Sequence, residues 1–467
     1  MQKNLVSIGL EIHVALITNK KSFAPEKTDE FSWISLGFPG TLPVLNIDAV
    51  EKAIQLSKVL NCCINYDYIV FDRKNYFYYD LPRGYQITQY FFPLGKEGHL
   101  ILSNGKKIRI NQVHLEEDSA QQSKQGHEVR LFFGRLGRSI AEIVTEPDFQ
   151  TYQEVEEFLQ ILRRLFSFNN ISNASYADGE MRVDLNISVR AKESDPLNVK
   201  SEVKNLNSLL ALKKSINYLT EVQTKALIAG QEINPFTYFW VDKLKRCEVM
   251  RKKGEASDYF YIPESNIPPL SIPIDRYEKL TSSLIVDFSS LEEELQNSGL
   301  KKSEIDYLLD NYQVYSYVNK LNENLGNIVL SYNWIVNIVS GIIEKFNWND
   351  FPYPEIEKAV LETEKTKKIS LKIAKSIIKE ILTNNTTFSV AYKKLNVSLI
   401  SNETTLKNFL KEAFETYKDQ IPNLMMNMPK LERLIIGECM KRSKGQADPS
   451  LLKKYFDEMI VQFISKK

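Results

Sequence analysis

The chain has little cysteine, almost no net charge and no long apolar run, and each shortage removes a class of protein. Four cysteines occur in 467 residues (Cys62, Cys63, Cys247 and Cys439). They show no metal-ligand spacing, and two are adjacent, which does not suit an ordinary disulfide framework; a reducing compartment fits better. Sixty Lys and Arg against 59 Asp and Glu leave a net charge of +1. Nucleic acid is therefore not drawn to the molecule as a whole, and any such binding must use local patches. No apolar stretch reaches the roughly 20 residues of a membrane span. The opening residues, MQKNLVSIGLEI, pass straight into a strand-like pattern with no signal-peptide build. The expectation is a soluble cytoplasmic protein, or one of an organellar matrix, with no membrane partner. Signature loops are missing too: there is no G-x-x-x-x-G-K-[ST], no G-x-G-x-x-G and no G-x-S-x-G elbow. The Gly-Gly/Ser-Ser stretch that amidases place around a serine nucleophile is also absent. If ATP is used, another scaffold holds it.

A hydrophobic fraction of 43% with 25% charged residues is that of a folded globular protein, and the length suggests about three domains. Up to about residue 290 the punctuation is α+β. Short alternating runs such as HLILSN, KKIRINQVHL and EMRVDLNISVR predict strands, and EVEEFLQILRRLF predicts a helix from about Tyr152 to Phe168. From about Leu291 the period becomes helical: Ile369, Ile373, Ile377 and Ile381 recur every fourth residue. Near the end, a helix finishes in the basic run Lys441, Arg442 and Lys444 with a stop at Gly445, and another begins with Asp448 as N-cap and Pro449 in its first turn. The expected organisation is an α+β domain over 1–290 and helical modules over 291–396 and 397–467, without internal repeats.

Six stretches carry groups capable of chemistry. In IGLEIHVA, Glu11 and His13 lie two apart in a strand and so share a face opposite Leu10, Ile12 and Val14. A half-exposed strand with polar residues facing water has the same pattern. In MRVDLNISVR, one face carries Arg182, Asp184, Asn186, Ser188 and Arg190, which suits a substrate groove or a solvated sheet face. HLEEDS offers Glu116, Glu117 and Asp118; AEIVTEPD offers Glu142 and Glu146; SEVKNLN offers Glu202, Lys204 and Asn205. Carboxylates with one histidine make a hard, oxygen-rich donor set, which suits Mg²⁺ with phosphate far better than zinc. In FDRKNYFYYDLPRGYQITQYFF, Arg73, Lys74 and Arg83 alternate with aromatic residues, the composition of a single-stranded RNA or nucleotide surface, or of a tyrosine-rich packing segment.

Taken in order, GLEIHV, GFPGTLPVLN, FDRKNYFYYDLPRGYQITQ, HLEED, EIVTEPD, MRVDLNISVR, EVKNLNSL, MRKKGEASDYFYIPE, NWI and MKRSKGQADP span essentially the whole chain. Together they resemble the B-subunit family of the tRNA-dependent aspartyl/glutamyl amidotransferases. The resemblance implies a mixed-sheet, cradle-like catalytic domain, then a helical domain and a small helical tail domain that binds the tRNA elbow. It implies a carbon–nitrogen ligase with glutamine as amido donor: ATP phosphorylates the side-chain carboxylate of Glu-tRNA(Gln) or Asp-tRNA(Asn) in a Mg²⁺-dependent step, and ammonia displaces phosphate. The implied partners are an amidase (A) subunit that supplies ammonia, a small bridging (C) subunit, and mischarged tRNA. A non-catalytic tRNA-binding scaffold with a degenerate pocket is the alternative.

On this resemblance the catalytic and metal-site residues are Glu11, His13, Glu117, Glu146 and Glu202, with Glu116 and Glu142 as further candidates from the same motifs. Arg182, Asp184, Asn186, Lys204 and Asn205 would line the nucleotide and acyl-end pocket. Tyr78, Tyr85 and Gln86 would contact the charged tRNA terminus, and Lys441, Arg442 and Lys444 would meet phosphates near the elbow. The chain departs from the family pattern in places. The loop after Phe23 is short, Tyr79 replaces a proline, and Tyr238 and Phe260 stand where arginines are common. Phe132, Gly134 and Arg135 fill a segment that is often Asp-x-Asn-Arg. The carboxylates and His13 are kept, which points to an active but divergent enzyme.

Overall fold

The computed structural model describes residues 5–126, 128–192, 194–252, 259–342, 348–366, 368–395, 400, 402–421, 428–443 and 445–464. The chain divides into two compact units, residues 1–290 and 291–467. The expected division at 396/397 begins outside the described residues. The first unit carries the strands β1 (Leu5–Ala15), β2 (Cys63–Ile64), β3 (Asp72–Asn75), β4 (Tyr85–Thr88), β5 (Gly95–Ile101), β6 (Lys107–Glu117), β7 (Gln121–Gln125), β8 (Glu128–Phe132), β9 (Ser139–Thr145), β10 (Met181–Arg190), β11 (Ser201–Leu206), β12 (Phe236–Val241), β13 (Arg246–Lys252) and β14 (Phe260–Pro263). Nine of them form one sheet in the order β13-β12-β11-β10-β1-β9-β6-β5-β2, with β3 between β14 and β4 in a second sheet and β7–β8 a separate hairpin. In the large sheet β11 and β12 run parallel and β1 runs antiparallel to both its neighbours. This is the mixed sheet of an α+β domain, and the unit that follows is helical.

The period of two in β1 decides which way the sheet faces. Ile8, Leu10, Ile12 and Val14 are buried, each contributing about 1.5–3 kcal/mol of apolar burial. A slip of one residue would put Glu11 and His13 into that core, so the register is strongly specified. The helices α1 (Ile47–Val59) and α3 (Leu209–Ile228) pack on the sheet, α1 against β6 and α3 against β10, β11 and β13. Between them in sequence lies α2 (Tyr152–Phe168), at the bounds its pattern predicts. It starts at a capping box: Thr151 Oγ1 accepts from the N–H of Glu154, and the Glu154 carboxylate accepts from the N–H of Thr151.

A lysine locks the loops beside the sheet. Lys21 is fully buried, and its Nζ donates to the carbonyls of Thr28 (2.9 Å), Gly134 (2.9 Å) and Leu136 (2.6 Å). Burial lowers its pKa to about 8, against the attraction of Asp29 and Glu26. Below that value the folded and unfolded chains both carry the proton. Between about pH 8 and 10.5 the unfolded chain binds a proton that the folded chain has lost, so this residue makes stability rise with pH there. Urea unfolding between pH 7.5 and 10 should show that component in the parent, and Lys21→Met should lack it, a difference of ~2–3 kcal/mol. Parallel pH profiles in the two proteins would contradict it.

In the second unit, Ile369, Ile373, Ile377 and Ile381 are all buried, as their spacing predicts, with Ser370 capping the helix Leu371–Asn384. The helix Met428–Arg442 is followed by Gly445 at φ +84°, whose N–H returns to Met440 O at 2.7 Å. That left-handed turn is where a helix stop belongs. Asp448 Oδ1 then accepts from the N–H groups of Ser450 and Leu451 to start the helix Pro449–Ile464. Leu406, Leu410, Leu431, Ile435, Leu452 and Phe456 form the core of this terminal module. Ser370 Oγ donates to Gly445 O at 2.9 Å, tying it to the preceding helices. Among the described residues, no helix is long and apolar enough to cross a membrane.

Candidate active site

Cross-strand pairing brings distant motifs onto one face. On β10, β1, β9 and β6 the residues Arg182, His13, Glu142 and His114 stand directly opposite one another in a single row. Directly opposed residues project to the same side with Cβ atoms ~5 Å apart. Two residues along β1, Glu11 faces Asp184 on β10, and Asn186 faces Glu202 on β11. An irregularity between Val183 and Leu185 interrupts the β10–β11 ladder. There Asn205 takes φ +58°, and its N–H donates to Asp184 Oδ1 at 2.7 Å.

Two clusters result. His13 Nε2 lies 3.5 Å from Glu116 Oε1 and 3.6 Å from Glu142 Oε2. Glu11, Asp184 and Glu202 form the second; within each cluster the donor atoms lie within 4.8 Å of one another. The second already holds a cation: Lys204 Nζ is 3.0 Å from Asp184 Oδ2 and 2.8 Å from Glu202 Oε1. Asn186 Nδ2 donates to Glu11 Oε1 at 3.2 Å. In the first, burial, followed by repulsion from Glu142, pushes the Glu116 carboxyl up. Burial works to raise Glu142 as well, but attraction to His114 and His13 when those rings are protonated, and to the Lys74 ammonium, outweighs it and holds Glu142 low. Burial lowers His13. One imidazole nitrogen and two carboxylates are a donor set for a hard divalent cation, and the neutral ring leaves its nitrogen free to coordinate.

The first cluster opens on a cavity of about 400 Å³. It is lined by His13, Glu116, Arg182, Asp184, Lys204 and Asn205 of the large sheet and by Lys74, Tyr76, Tyr78, Gln86 and Tyr259. Burial opposes the charge on Lys74, but Glu116, Tyr261, Glu142 and Tyr259 outweigh it and raise its pKa. The Nζ sits 4.5 Å from the Tyr259 ring centroid, a cation–π contact between two residues that line the cavity. Arg182 is held by Asp118, whose carboxylate also takes Arg135, at 3.0 and 2.8 Å. A second hollow of about 270 Å³ adjoins Glu11 and is lined by Gly9, Thr145, Pro147, Asn186 and Ser188.

The structure therefore brings Glu11, His13, Glu116, Glu142, Asp184, Glu202 and Lys204 together and places two of the expected ligands in neither cluster. Glu117 lines the cavity but joins neither cluster: its Oε1 accepts from Arg83 and from the N–H of Ile87 at 2.9 Å. Glu146 follows the end of β9 and accepts from Asn111 Nδ2 at 2.6 Å. Arg73 and Arg83 also turn inward rather than to a nucleic-acid surface. Arg73 makes two bonds to Glu264, at 2.6 and 2.9 Å, and both guanidiniums flank the ring of Tyr85. Gln86 lines the cavity while donating to Glu117 O, and half-exposed Tyr78 lines it too. Asn186 lines the smaller hollow. In the second unit Lys441 is exposed, whereas Arg442 binds Glu438, Glu412 and Thr416; Lys444 lies outside the described residues. Phe132, Gly134, Tyr238 and Phe260 do not line the cavity, while Arg135 supports it through Asp118. Sequence reasoning does not single out His114. Its place two residues before Glu116 in one strand is the signal that could have found it.

Residues 6–278 match the model of the GatB/GatE catalytic domain, and residues 316–460 match that of the GatB domain. A protein of Ureaplasma urealyticum is 34% identical to the chain, covering 97% of the chain and 98% of that protein. One of Thermosipho melanesiensis is also 34% identical, over 94% and 96%, and one of Mycoplasma genitalium is 33% identical, over 95% and 94%. Each of these relatives is the B subunit of an aspartyl/glutamyl-tRNA(Asn/Gln) amidotransferase. A catalytic-domain match over more than half the chain, with likeness running from end to end, means that the chain belongs to the family of aspartyl/glutamyl-tRNA(Asn/Gln) amidotransferase B subunits.

Proposed function

We propose that the chain is the carboxylate-activating and amidating subunit of a glutamine-dependent amidotransferase acting on Glu-tRNA(Gln) or Asp-tRNA(Asn). The observation that carries this reading is the row Arg182–His13–Glu142–His114 with Glu116, of which Arg182, His13 and Glu116 line a cavity that Lys74 lines as well. A carboxylate is a poor electrophile, so amidation needs a leaving group. One carboxylate oxygen of the aminoacyl side chain attacks the γ-phosphorus of ATP, the bond to the β–γ bridging oxygen breaks, and ADP departs. Ammonia then attacks the acyl carbon, phosphate leaves with the electrons of the acyl–oxygen bond, and the nitrogen gives up one proton, which the departing phosphate can take, to form the amide. His13, Glu116 and Glu142 would hold Mg²⁺, which when bound supplies positive charge to the transferred phosphoryl oxygens. Lys74 and Arg182 offer fixed cations to the incoming phosphates and carboxylate. Asp118 keeps Arg182 aimed, and Lys204 balances Glu11, Asp184 and Glu202.

Ammonia in this reading comes from a separate amidase subunit, with a small bridging subunit completing the assembly. The chain's lack of an amidase serine signature supports that division of labour. The helical second unit would bind the tRNA away from its acyl end, with exposed Lys441 as one phosphate contact. All four cysteines are free thiols, which supports a reducing compartment such as the cytoplasm. The scaffold alternative is not favoured, because the groups that would be needless without catalysis are retained together.

The test is reconstitution with the amidase and bridging subunits, mischarged tRNA, ATP and glutamine. The complex should form Gln-tRNA(Gln) or Asn-tRNA(Asn), and His13→Ala should remove product formation while glutamine hydrolysis and tRNA binding persist. A His13→Ala complex that amidates at the parent rate would rule out this assignment.

A further inference from the structure

Glu142 stands between two imidazoles, and the proposed chemistry uses one of them. His13 faces it from β1, and His114 faces it from β6 across the other ladder. His114 is 7% exposed, and neither Nδ1 nor Nε2 has a hydrogen-bond partner. A buried imidazole always carries at least one N–H, and leaving that donor unpaired is destabilising, whereas an apolar ring of similar size would carry no such penalty. Buried polar groups without partners are rare in native structures and mark places where something else completes them. The groups around His114 say what that is: Glu142 directly across the sheet, Glu116 two residues further along the same face, and Lys74 close enough to act on it electrostatically. Cation-binding carboxylates are themselves held by an outer hydrogen-bond donor, which fixes one oxygen and aims the other at the ion.

We propose that His114 is a positioning residue for a divalent cation held by His13, Glu116 and Glu142, its ring N–H reaching the Glu142 carboxylate through one water molecule. This inference rests on the cation reading given under Proposed function. It gives the orphaned ring a partner that exists only in the loaded site, and it explains why the row of four side chains continues onto β6.

Mn²⁺ binding to the full chain, followed by electron paramagnetic resonance and by titration calorimetry, tests it beside thermal unfolding without metal. His114→Phe should weaken Mn²⁺ binding at least tenfold while leaving the unfolding temperature unchanged or higher. His114→Gln, which restores an N–H donor, should return affinity to within about threefold of the parent. If the Phe ring is not accommodated, His114→Leu is the apolar variant. Parent-like Mn²⁺ affinity in the apolar variant overturns the proposal. So does a lowered unfolding temperature in the apolar variant with no recovery of affinity in His114→Gln, the pattern of a purely structural residue. Absence of Mn²⁺ binding by the parent overturns the cation reading itself and this inference with it, and is recognised because it occurs before any substitution.

Discussion

Glu142→Gln should lower the single-turnover rate of amidation by about 10³-fold, whereas Glu146→Gln should leave it within about threefold. The two residues come from the same motif, AEIVTEPD, and differ only in where the sheet puts them. Glu142 Oε2 lies 3.6 Å from His13 Nε2 in the cluster under the cavity; the Glu146 side chain is bound to Asn111 past the end of β9. Gln is nearly isosteric with Glu and removes the charge, so the fold should persist while the cation loses an anionic donor. A 10³-fold loss corresponds to ~4 kcal/mol of transition-state stabilisation, in the range seen when one preorganised electrostatic contact to a reacting group is removed. Conversion of mischarged tRNA at saturating ATP, with glutamine hydrolysis measured in parallel, provides the comparison. Equal losses for the two variants, or the larger loss for Glu146→Gln, would sink the assignment.

Arg83→Met should destabilise the first unit by ~3–5 kcal/mol, because it strands a buried carboxylate. The side chains of Arg83 and Glu117 are 5% and 1% exposed. Burial pushes the Glu117 carboxyl up, opposed by Arg83 and the Ile87 N–H, and Glu117 Oε2 has no partner at all. Gly37, at φ +70°, makes room for this pair: a Cβ there would stand 2.6 Å from Arg83 Cγ. For a unit of this size the loss amounts to roughly 5–15 °C in melting temperature. The double variant Arg83→Met/Glu117→Gln should recover most of it, since the uncompensated charge is then gone. Calorimetry of the three proteins checks this. A single variant that melts within a degree or two of the parent would show that the pair does not hold the β4 segment to β6.

The contrast between Glu116 and Glu117 shows where the sequence stops being informative. In HLEED the two are neighbours, and neighbours in a strand face opposite sides. The alternation says that only one of them can join His13, but which one depends on how β6 is aligned with β1, and β9 stands between them. Those alignments pair residues 22–35 positions apart between β6 and β9 and 125–133 apart between β9 and β1. The same holds for Arg73 and Arg83: their interleaving with tyrosines fits a nucleic-acid surface and an internal guanidinium–tyrosine stack equally well, until Glu264 and Glu117 are seen to close on them.

What the sequence determined by itself is what local physics controls. The capped helix at Thr151, the fourfold isoleucine spacing from Ile369, the Gly445 stop and the polar face of β1 all follow from backbone preference and apolar periodicity within a dozen residues. The ordered phrases carry the family across the whole chain. Only the tertiary structure decided which side chains gather: that Glu142, Glu116 and His114 stand with His13, that Lys204 fills the second acidic cluster, and that Glu117 and Glu146 are held by other partners. The reason is that ligation and ion pairing depend on cross-strand register, which arises from burying the opposite, apolar face of the sheet and leaves no mark in the spacing of the polar residues themselves.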